Sequence, residues 1–333
     1  MTERKSRRGN PGSPHLPSVV SSDGTRWMDF RKTLTPRYAV VWRDIGLCYL
    51  ALAAGLAATA LATGRLGPVP ALVVAVPAGA WTGWWMHALF LFGHEAAHTN
   101  LAPRRRRNDR LGDWCVWLPF GSTTAQYRRT HMAHHTHLGG AGDTETTYYL
   151  CLSVANILKG MTGIHVLQVL LRDRRNETSG KKGPSRSGAR REMRASLRTV
   201  VLHAGTVGGF STAGLWPVAL SWIIGAGCVF PLCALLRTVV EHRQPDAPCS
   251  VDFTETEHGP VNRLFGDGPL SRTFGAAGFN KHLLHHWDPA ISYTRFSEME
   301  EFFARTPLAA EMESGRTGYG AALKGMMVVA RRG

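Results

Sequence analysis

Apolar and polar residues are segregated along this chain rather than mixed. Ile45 to Gly64 is a run of 20 residues without a charged side chain, long enough at about 1.5 Å per residue to cross a hydrocarbon core about 30 Å thick. Gly67, Pro68 and Pro70 interrupt it, and a second apolar stretch follows from Ala71 to Gly93, with Trp81, Trp84 and Trp85 in its second half. After His94 the pattern reverses. Arg104 to Arg107 is a run of four arginines, and basic residues recur as far as Arg198. From Val200 to Val240 the chain is apolar again, broken around Gly214 to Pro217. About forty apolar residues amount to roughly two crossings, so this tract reads as two helices. The pattern predicts an all-α integral membrane protein, with four transmembrane helices in two hairpins and a helical cytoplasmic cap.

The expected spans lie at about 45–64, 71–93, 198–214 and 216–240, inside a membrane domain covering 29–305. A basic arm over 1–28, rich in Pro, Ser and Arg, is expected to be disordered, and 306–333 reads as a C-terminal tail. Asp29 to Asp44 mixes apolar and basic residues like a helix lying at the membrane surface. Ser153 to Leu171 is apolar but carries Lys159 and His165, and reads as another interfacial helix. A Gly/Ser/Lys/Arg-rich stretch over about 172–194 is expected to be a flexible insertion.

The mean hydropathy of −0.13 hides this segregation, and a net charge of +15 with pI near 10.1 would suit nucleic acid, an anionic membrane surface or an acidic partner. Distribution decides among them. Arg65 is the only basic residue between the first two spans, and the turn at Gly214 has none. By the positive-inside rule both termini and the basic middle region then face the cytoplasm. Topology explains the charge, and nucleic acid is not required. Met1 to Arg8 is basic with no apolar stretch behind it, so an uncleaved cytoplasmic N-terminus is expected. A multi-pass protein of a bacterial cytoplasmic membrane is the expected setting. The six cysteines contain no C-x-x-C pair and suggest neither a disulfide framework nor a zinc knuckle.

Fifteen histidines change the picture. His94 and His98 form H-x-x-x-H at the end of the second span. His131, His134 and His135 form H-x-x-H-H in the middle region, and His282, His285 and His286 repeat it after the fourth span. His242 stands just beyond that span. One H-x-x-x-H pair is expected by chance roughly once at this histidine frequency, whereas each triplet is expected on the order of a few hundredths of a time. On a helix, residues three or four apart share a face, so His131 can close on one ion with either His134 or His135. His134 and His135 diverge by about 100° and can serve two neighbouring ions. Neutral imidazole suits iron, copper, nickel or zinc. Iron is favoured because activating O2 needs a redox metal.

Three boxes in this order, around two hairpins, resemble the membrane fatty acid desaturase and hydroxylase superfamily. The closest likeness runs from Asn280 to Tyr293, similar to N-x-H-x-x-H-H-x-x-P-x-I-x-Y. Gly142, Asp143 and Glu145 behind the second box resemble the family's acidic cluster, and Arg237 to His242 is similar to R-N-x-x-E-H. The resemblance spans roughly Trp42 to Tyr293. It implies two iron ions bound by His94, His98, His131, His134, His135, His242, His282, His285 and His286. It implies O2 as co-substrate, and desaturation of a fatty acyl or similar lipid chain, with lipid hydroxylation as the alternative outcome. One departure is Thr238, where the family often carries Asn, which bears on the coordination of one iron. The 172–194 insertion has no counterpart in the family.

Glu95, Asp143, Glu145, Arg237, Thr238, Glu241 and Asn280 are candidates for the shell that orients the ligands. Two other classes compete. His94-Glu95-Ala-Ala-His98 matches the H-E-x-x-H of zinc metalloproteases, which would leave both triplets unexplained. A metal-binding membrane protein without turnover would keep the same residues. His87 and His203, inside spans, read equally as functional groups or as interhelical hydrogen bonds. His15, His137, His165 and His258 read as ordinary polar residues. The chain has no H-P-G-G haem segment, ferredoxin-like cysteine cluster or Rossmann fingerprint. An external electron donor, ferredoxin or a similar small acidic protein, is therefore expected, alongside a lipid or acyl-carrier-bound substrate and membrane lipids.

Overall fold

The computed structural model describes residues 12–140, 142–164 and 186–332. Among these the fold is helical, with only isolated β-bridges. Four long helices form its frame: α1 (Tyr38–Leu66), α2 (Leu72–Ala97), α6 (Arg186–Thr212) and α7 (Trp216–His242). Shorter ones complete it: α3 (Arg105–Cys115), α4 (Thr124–His137), α5 (Val154–Met161), α8 (Pro269–Phe274), α9 (His282–Trp287), α10 (Phe296–Phe303), α11 (Ala309–Ser314) and α12 (Tyr319–Arg332).

Local chemistry sets these boundaries. Pro36 pushes the residue before it away from helical backbone angles, and α1 starts two residues later. It ends at Gly67, whose φ of +83° a side chain would resist. Thr123 caps α4 by accepting from the Gln126 N–H at 3.2 Å. Pro217 occupies the first turn of α7, where its missing N–H costs nothing. α7 then contains one π-helical turn, Gly225–Val229, before α-helical winding resumes at Phe230.

α1 and α2 pair as a hairpin, α6 and α7 pair as another, and α2 packs against α7 along much of its length. Small residues let α2 and α7 approach closely. A Cβ at Gly79 would stand 2.7 Å from the Ile224 side chain, and Gly83 lies against Val229 and the Gly225 carbonyl. α1 and α7 are long and apolar enough to cross a membrane. The tryptophans, glycines and His87 dilute α2, and arginines begin α6.

Several expectations are corrected. The arm over 1–28 is packed from residue 12 onward: Leu16 and Trp27 are buried with Leu284, Trp287, Phe302 and Phe303. Trp27 also donates to Asp288 (3.1 Å), and Ser13 donates to the His286 carbonyl (2.6 Å). An aromatic core under the third box thus recruits the arm. No single helix covers 29–44. A turn at Trp27–Phe30 and a 3-10 turn at Arg31–Thr33 stop at Pro36. Residues 165–185, and with them most of the expected insertion and of the 153–171 helix, lie outside the described residues. Arg186 to Arg194 belongs to α6, which begins well before the expected span at 198. Arg191 pairs with Asp113 and Glu192 with Arg129, both at bonding distances of 2.6–2.7 Å. The 306–333 segment is mostly helical, with Met326 buried against Leu235 and Val239. Cys151 and Cys249 form a disulfide, contrary to the sequence reading. Their separation of 98 residues leaves no local spacing to read.

Replacing Trp27 with Ala should destabilise the protein by about 3–5 kcal/mol, the usual cost of emptying a buried aromatic site. Thermal unfolding in detergent checks this, and a loss under about 1 kcal/mol would show that the arm is only draped on the surface.

Candidate metal centre

Four elements bring the histidines together. The end of α2 carries His94 and His98, α4 carries the second box, the end of α7 carries His242, and α9 carries the third box. The chain turns into α9 through Ala277 (φ +52°) and Gly278 (φ +82°), a left-handed pair that swings the third box towards the others. Phe279 follows this turn and packs against His94 and His282, with ring centroids at 4.7 and 4.8 Å.

All nine box histidines, His242 included, fall into two adjoining groups. His94, His98, His131, His135 and His285 form the first. His134, His242 and His286 form the second, and His282 joins them through His242. All are buried except His98, which is half-buried. The two triplets are used in mirrored fashion. From α4 the i,i+4 pair His131/His135 enters the first group and His134 the second, whereas α9 gives the pair His282/His286 to the second and His285 to the first. This resolves the ambiguity of H-x-x-H-H spacing in favour of i,i+4.

The Nε2 atoms face one another. The Nε2 of His285 is 2.7 Å from that of His94 and 2.8 Å from that of His135. The Nε2 of His131 is 3.1 Å from that of His98 and 3.0 Å from that of His135. In the second group the Nε2 of His282 is 3.0 Å from that of His242 and 3.1 Å from that of His286. The Nε2 of His134 is buried without a hydrogen-bond partner among the described residues. Two nitrogens bound at right angles to one ion, each at about 2.1 Å, would be about 3 Å apart. The donor set fits transition metals in both type and spacing.

At three of the nine histidines the partner of the opposite nitrogen explains why Nε2 points inward. His131 Nδ1 is 2.9 Å from Glu145 Oε1, His134 Nδ1 is 2.8 Å from Asp143 Oδ1, and His242 Nδ1 is 2.9 Å from the Val261 carbonyl oxygen. A proton held on Nδ1 leaves the Nε2 lone pair free for an ion. Asp143 is fixed in turn by the Tyr148 hydroxyl (2.5 Å) and the Gly139 N–H (3.1 Å). Glu95 Oε1 lies 3.7 Å from His94 Nδ1, while its other oxygen accepts from Ser292 at 2.7 Å. Glu241 is ion-paired with Arg237 and lies 4.0 Å from His282 Nε2. Arg237 also stacks over Phe279, 4.3 Å from its centroid.

Two candidates do other work. Thr238 donates to the Ala234 carbonyl and accepts from Arg237, so its hydroxyl is used within its own helix turn. Asn280 donates to Gly266 and Asp267, bracing the loop that leads to the third box rather than a histidine. Sequence reasoning missed Tyr148, Ser292, Phe279 and the Val261 carbonyl. Tyr148 and Ser292 lie close to the acidic cluster and the third box, and proximity was the only available signal. A backbone carbonyl leaves none. His203 is an interhelical hydrogen bonder, accepting from Trp222 at 3.0 Å and meeting the Pro119 carbonyl at 3.0 Å. His258 bonds locally to Gln244.

An all-helical chain with two adjoining clusters of buried imidazoles belongs among the histidine-box membrane oxidoreductases. Residues 70–310 match the family model for fatty acid desaturases, and the chain belongs to that family. It is also similar to beta-carotene ketolases from two Paracoccus strains. It is 35% identical over 63 residues to that of strain N81106 / MBIC 01143 and 33% identical over the same length to that of strain PC1. Each match covers 19% of this chain and 26% of the relative, so the chain spans about a quarter of the length of these relatives.

Two outcomes follow from this geometry. Exchanging Arg237 for Leu leaves Glu241 buried without its partner and should cost about 3–5 kcal/mol, with Lys at the same position recovering part of it. Denaturant titration in detergent measures both. Burial holds the imidazoles of His135, His282, His285 and His286 well below their ordinary protonation range, and it also lowers His131. At His134 burial acts the same way but is outweighed by Glu145 and Asp143, so that group is raised. The depressed groups outnumber the raised one, so the unfolded chain takes up more protons as pH falls through about 6.5. Metal-free protein should therefore lose stability between about pH 7 and 5. A melting temperature that stays level across that interval would contradict the burial of neutral histidines.

Proposed function

We propose that this chain is an O2-dependent di-iron oxidoreductase that removes hydrogen from an unactivated position of a lipid chain, with desaturation of a fatty acyl group as the primary reaction. The observation that carries the reading is the convergence of nine inward-facing Nε2 atoms in two adjoining groups. In this reading His94, His98, His131, His135 and His285 hold one iron, and His134, His242, His282 and His286 hold the other. When bound, the irons with O2 supply the redox chemistry that acid–base side chains lack.

The residues of the chain do the rest. Asp143, Glu145 and the Val261 carbonyl keep protons on Nδ1 of their histidines. The Arg237–Glu241 pair and Phe279 close the space beside His94 and His282 to water. Four long helices cross the bilayer in two hairpins, with the boxes and both termini on the cytoplasmic side. Outward-facing Leu50, Leu61, Val73, Val76, Val200, Val201 and Ile223 on all four support this, because they are highly exposed and apolar. The substrate enters as a lipid or acyl-carrier-bound chain, and electrons come from a separate small acidic protein such as a ferredoxin. The five-imidazole group argues against a zinc protease, whose catalytic ion keeps three protein ligands and an open position. Oxygen insertion is the second reading, favoured by the ketolase names of the similar Paracoccus proteins.

Purified protein should hold two irons per chain. Asp143→Asn should weaken retention about 10- to 100-fold, the usual cost of losing a group that orients a metal-binding histidine. Expression in a desaturase-deficient bacterium with lipid mass spectrometry then separates the reactions: a product lighter by two hydrogens means desaturation, and one heavier by an oxygen means insertion. Zinc without iron, or an unchanged lipid profile from iron-loaded protein, would overturn the proposal.

A further inference from the structure

His87 lies on α2 seven residues before His94 and is fully buried. Seven residues come within about 20° of two full turns, so the two histidines share a face about 10 Å apart along the axis. Neither ring nitrogen of His87 has a hydrogen-bond partner among the described residues. A neutral imidazole has one N–H to donate and one lone pair to offer, and both go unused here. His203, the other histidine within a long helix and away from the cluster, has both nitrogens engaged. Several buried histidines of the cluster leave Nδ1 unpaired, but among the described residues His87 alone leaves both nitrogens so.

The neighbours of His87 share this condition. The Phe274 ring stands 5.2 Å from His87, 5.4 Å from Trp84 and 4.9 Å from Tyr319. The hydroxyl of Tyr319 is buried and unpaired among the described residues, as is Nε of Arg237. Phe274 thus brings His87 and Tyr319 together where α2, α8 and α12 meet, and α12 packs on the stretch of α7 that carries Arg237. Through Phe279 the same Arg237 borders His94 and His282. The junction is thus an aromatic-lined, buried spot with unfilled polar capacity, beside the histidine cluster. Arg237 is already neutralised by Glu241, so a carboxylate would find no spare cation there. A hydroxyl or carbonyl oxygen would match an imidazole that can donate or accept.

We propose that this junction is a polar subsite for the substrate, in which His87 hydrogen-bonds a neutral oxygen carried on the hydrophobic chain about 10 Å from the carbon that reacts. The proposal rests on the oxidoreductase reading of the cluster and narrows its substrate class to chains bearing such an oxygen. His87 is then a positioning residue, setting which carbon lies beside the histidines.

The test uses the full chain in lipid nanodiscs, in metal-free and iron-loaded form, with octadecan-1-ol and octadecane as paired probes. Thermal unfolding at increasing probe concentration reports binding without turnover. Wild type should bind the alcohol at least about ten-fold more tightly than the alkane, His87→Gln should keep much of that preference, and His87→Leu should abolish it. A purely structural role would move every melting temperature while leaving the difference between probes untouched. Equal binding of both probes by wild type, or an alcohol preference that survives in His87→Leu, would overturn the proposal and assign the unpaired nitrogens to internal water. Iron content, measured on the same samples, keeps the two readings apart: discrimination without iron uptake sinks the oxidoreductase and spares the subsite, and the reverse result does the opposite.

Discussion

Imidazole lone pairs brought within about 3 Å of one another repel unless a cation or a shared proton lies between them. Eight imidazoles are held in that relation here, with His134 beside them, and the rest of the fold reads as the means of imposing it. α2 and α7 are locked together through glycines, so the ends that carry His94, His98 and His242 cannot drift apart. The left-handed turn at Ala277 and Gly278 delivers α9 from the opposite side, and the aromatic core under α9 fixes its height. Neutral buried histidines are acceptable in such a place; charged ones are not unless a carboxylate stands beside them, as Asp143 and Glu145 do beside His134.

The two groups are also tied to each other. Asp143 and Glu145 stand two residues apart on one short segment, yet Asp143 fixes His134 of one group and Glu145 fixes His131 of the other. Tyr148, a few residues on, anchors the same segment. A displacement of this loop reaches both groups at once, so neither can be rearranged alone. Arg243, just beyond His242, donates to the Tyr149 carbonyl at the end of that segment and to the Ala247 and Pro248 carbonyls, extending the same bracing to a third element.

Much of this was legible in the sequence, and the reasons differ by feature. The histidine boxes were read because chance rarely builds H-x-x-H-H twice, and the apolar runs because a bilayer demands length. Spacing alone left the partner of His131 open between His134 and His135, since three and four residues both share a helix face. Only the direction of the rings decides it. Asp143 and Glu145 were named as candidates and do hold histidines. Thr238, which departs from the family pattern, and Asn280, which follows it, spend their hydrogen bonds on their own helix turn and on the loop before the third box. The Val261 carbonyl was beyond reach, because every residue has one. The N-terminal arm from residue 12 onward was misread for a compositional reason: its Pro, Ser and Arg content outweighed a single Trp27, although one large aromatic suffices to pin a strap when a ready-made cleft exists elsewhere in the chain.

The π-turn at Gly225–Val229 has a consequence for how α7 serves two environments. Winding with one additional residue advances everything downstream by about 100° relative to everything upstream. A straight helix has a single azimuth, so the stripe that meets α2 and the stripe that presents Arg237, Glu241 and His242 would be bound to one phase. The inserted residue uncouples them, as a gear offset lets two ends of a shaft point in different directions. The half that faces hydrocarbon and the half that faces the histidines can each keep the sequence its own surroundings require.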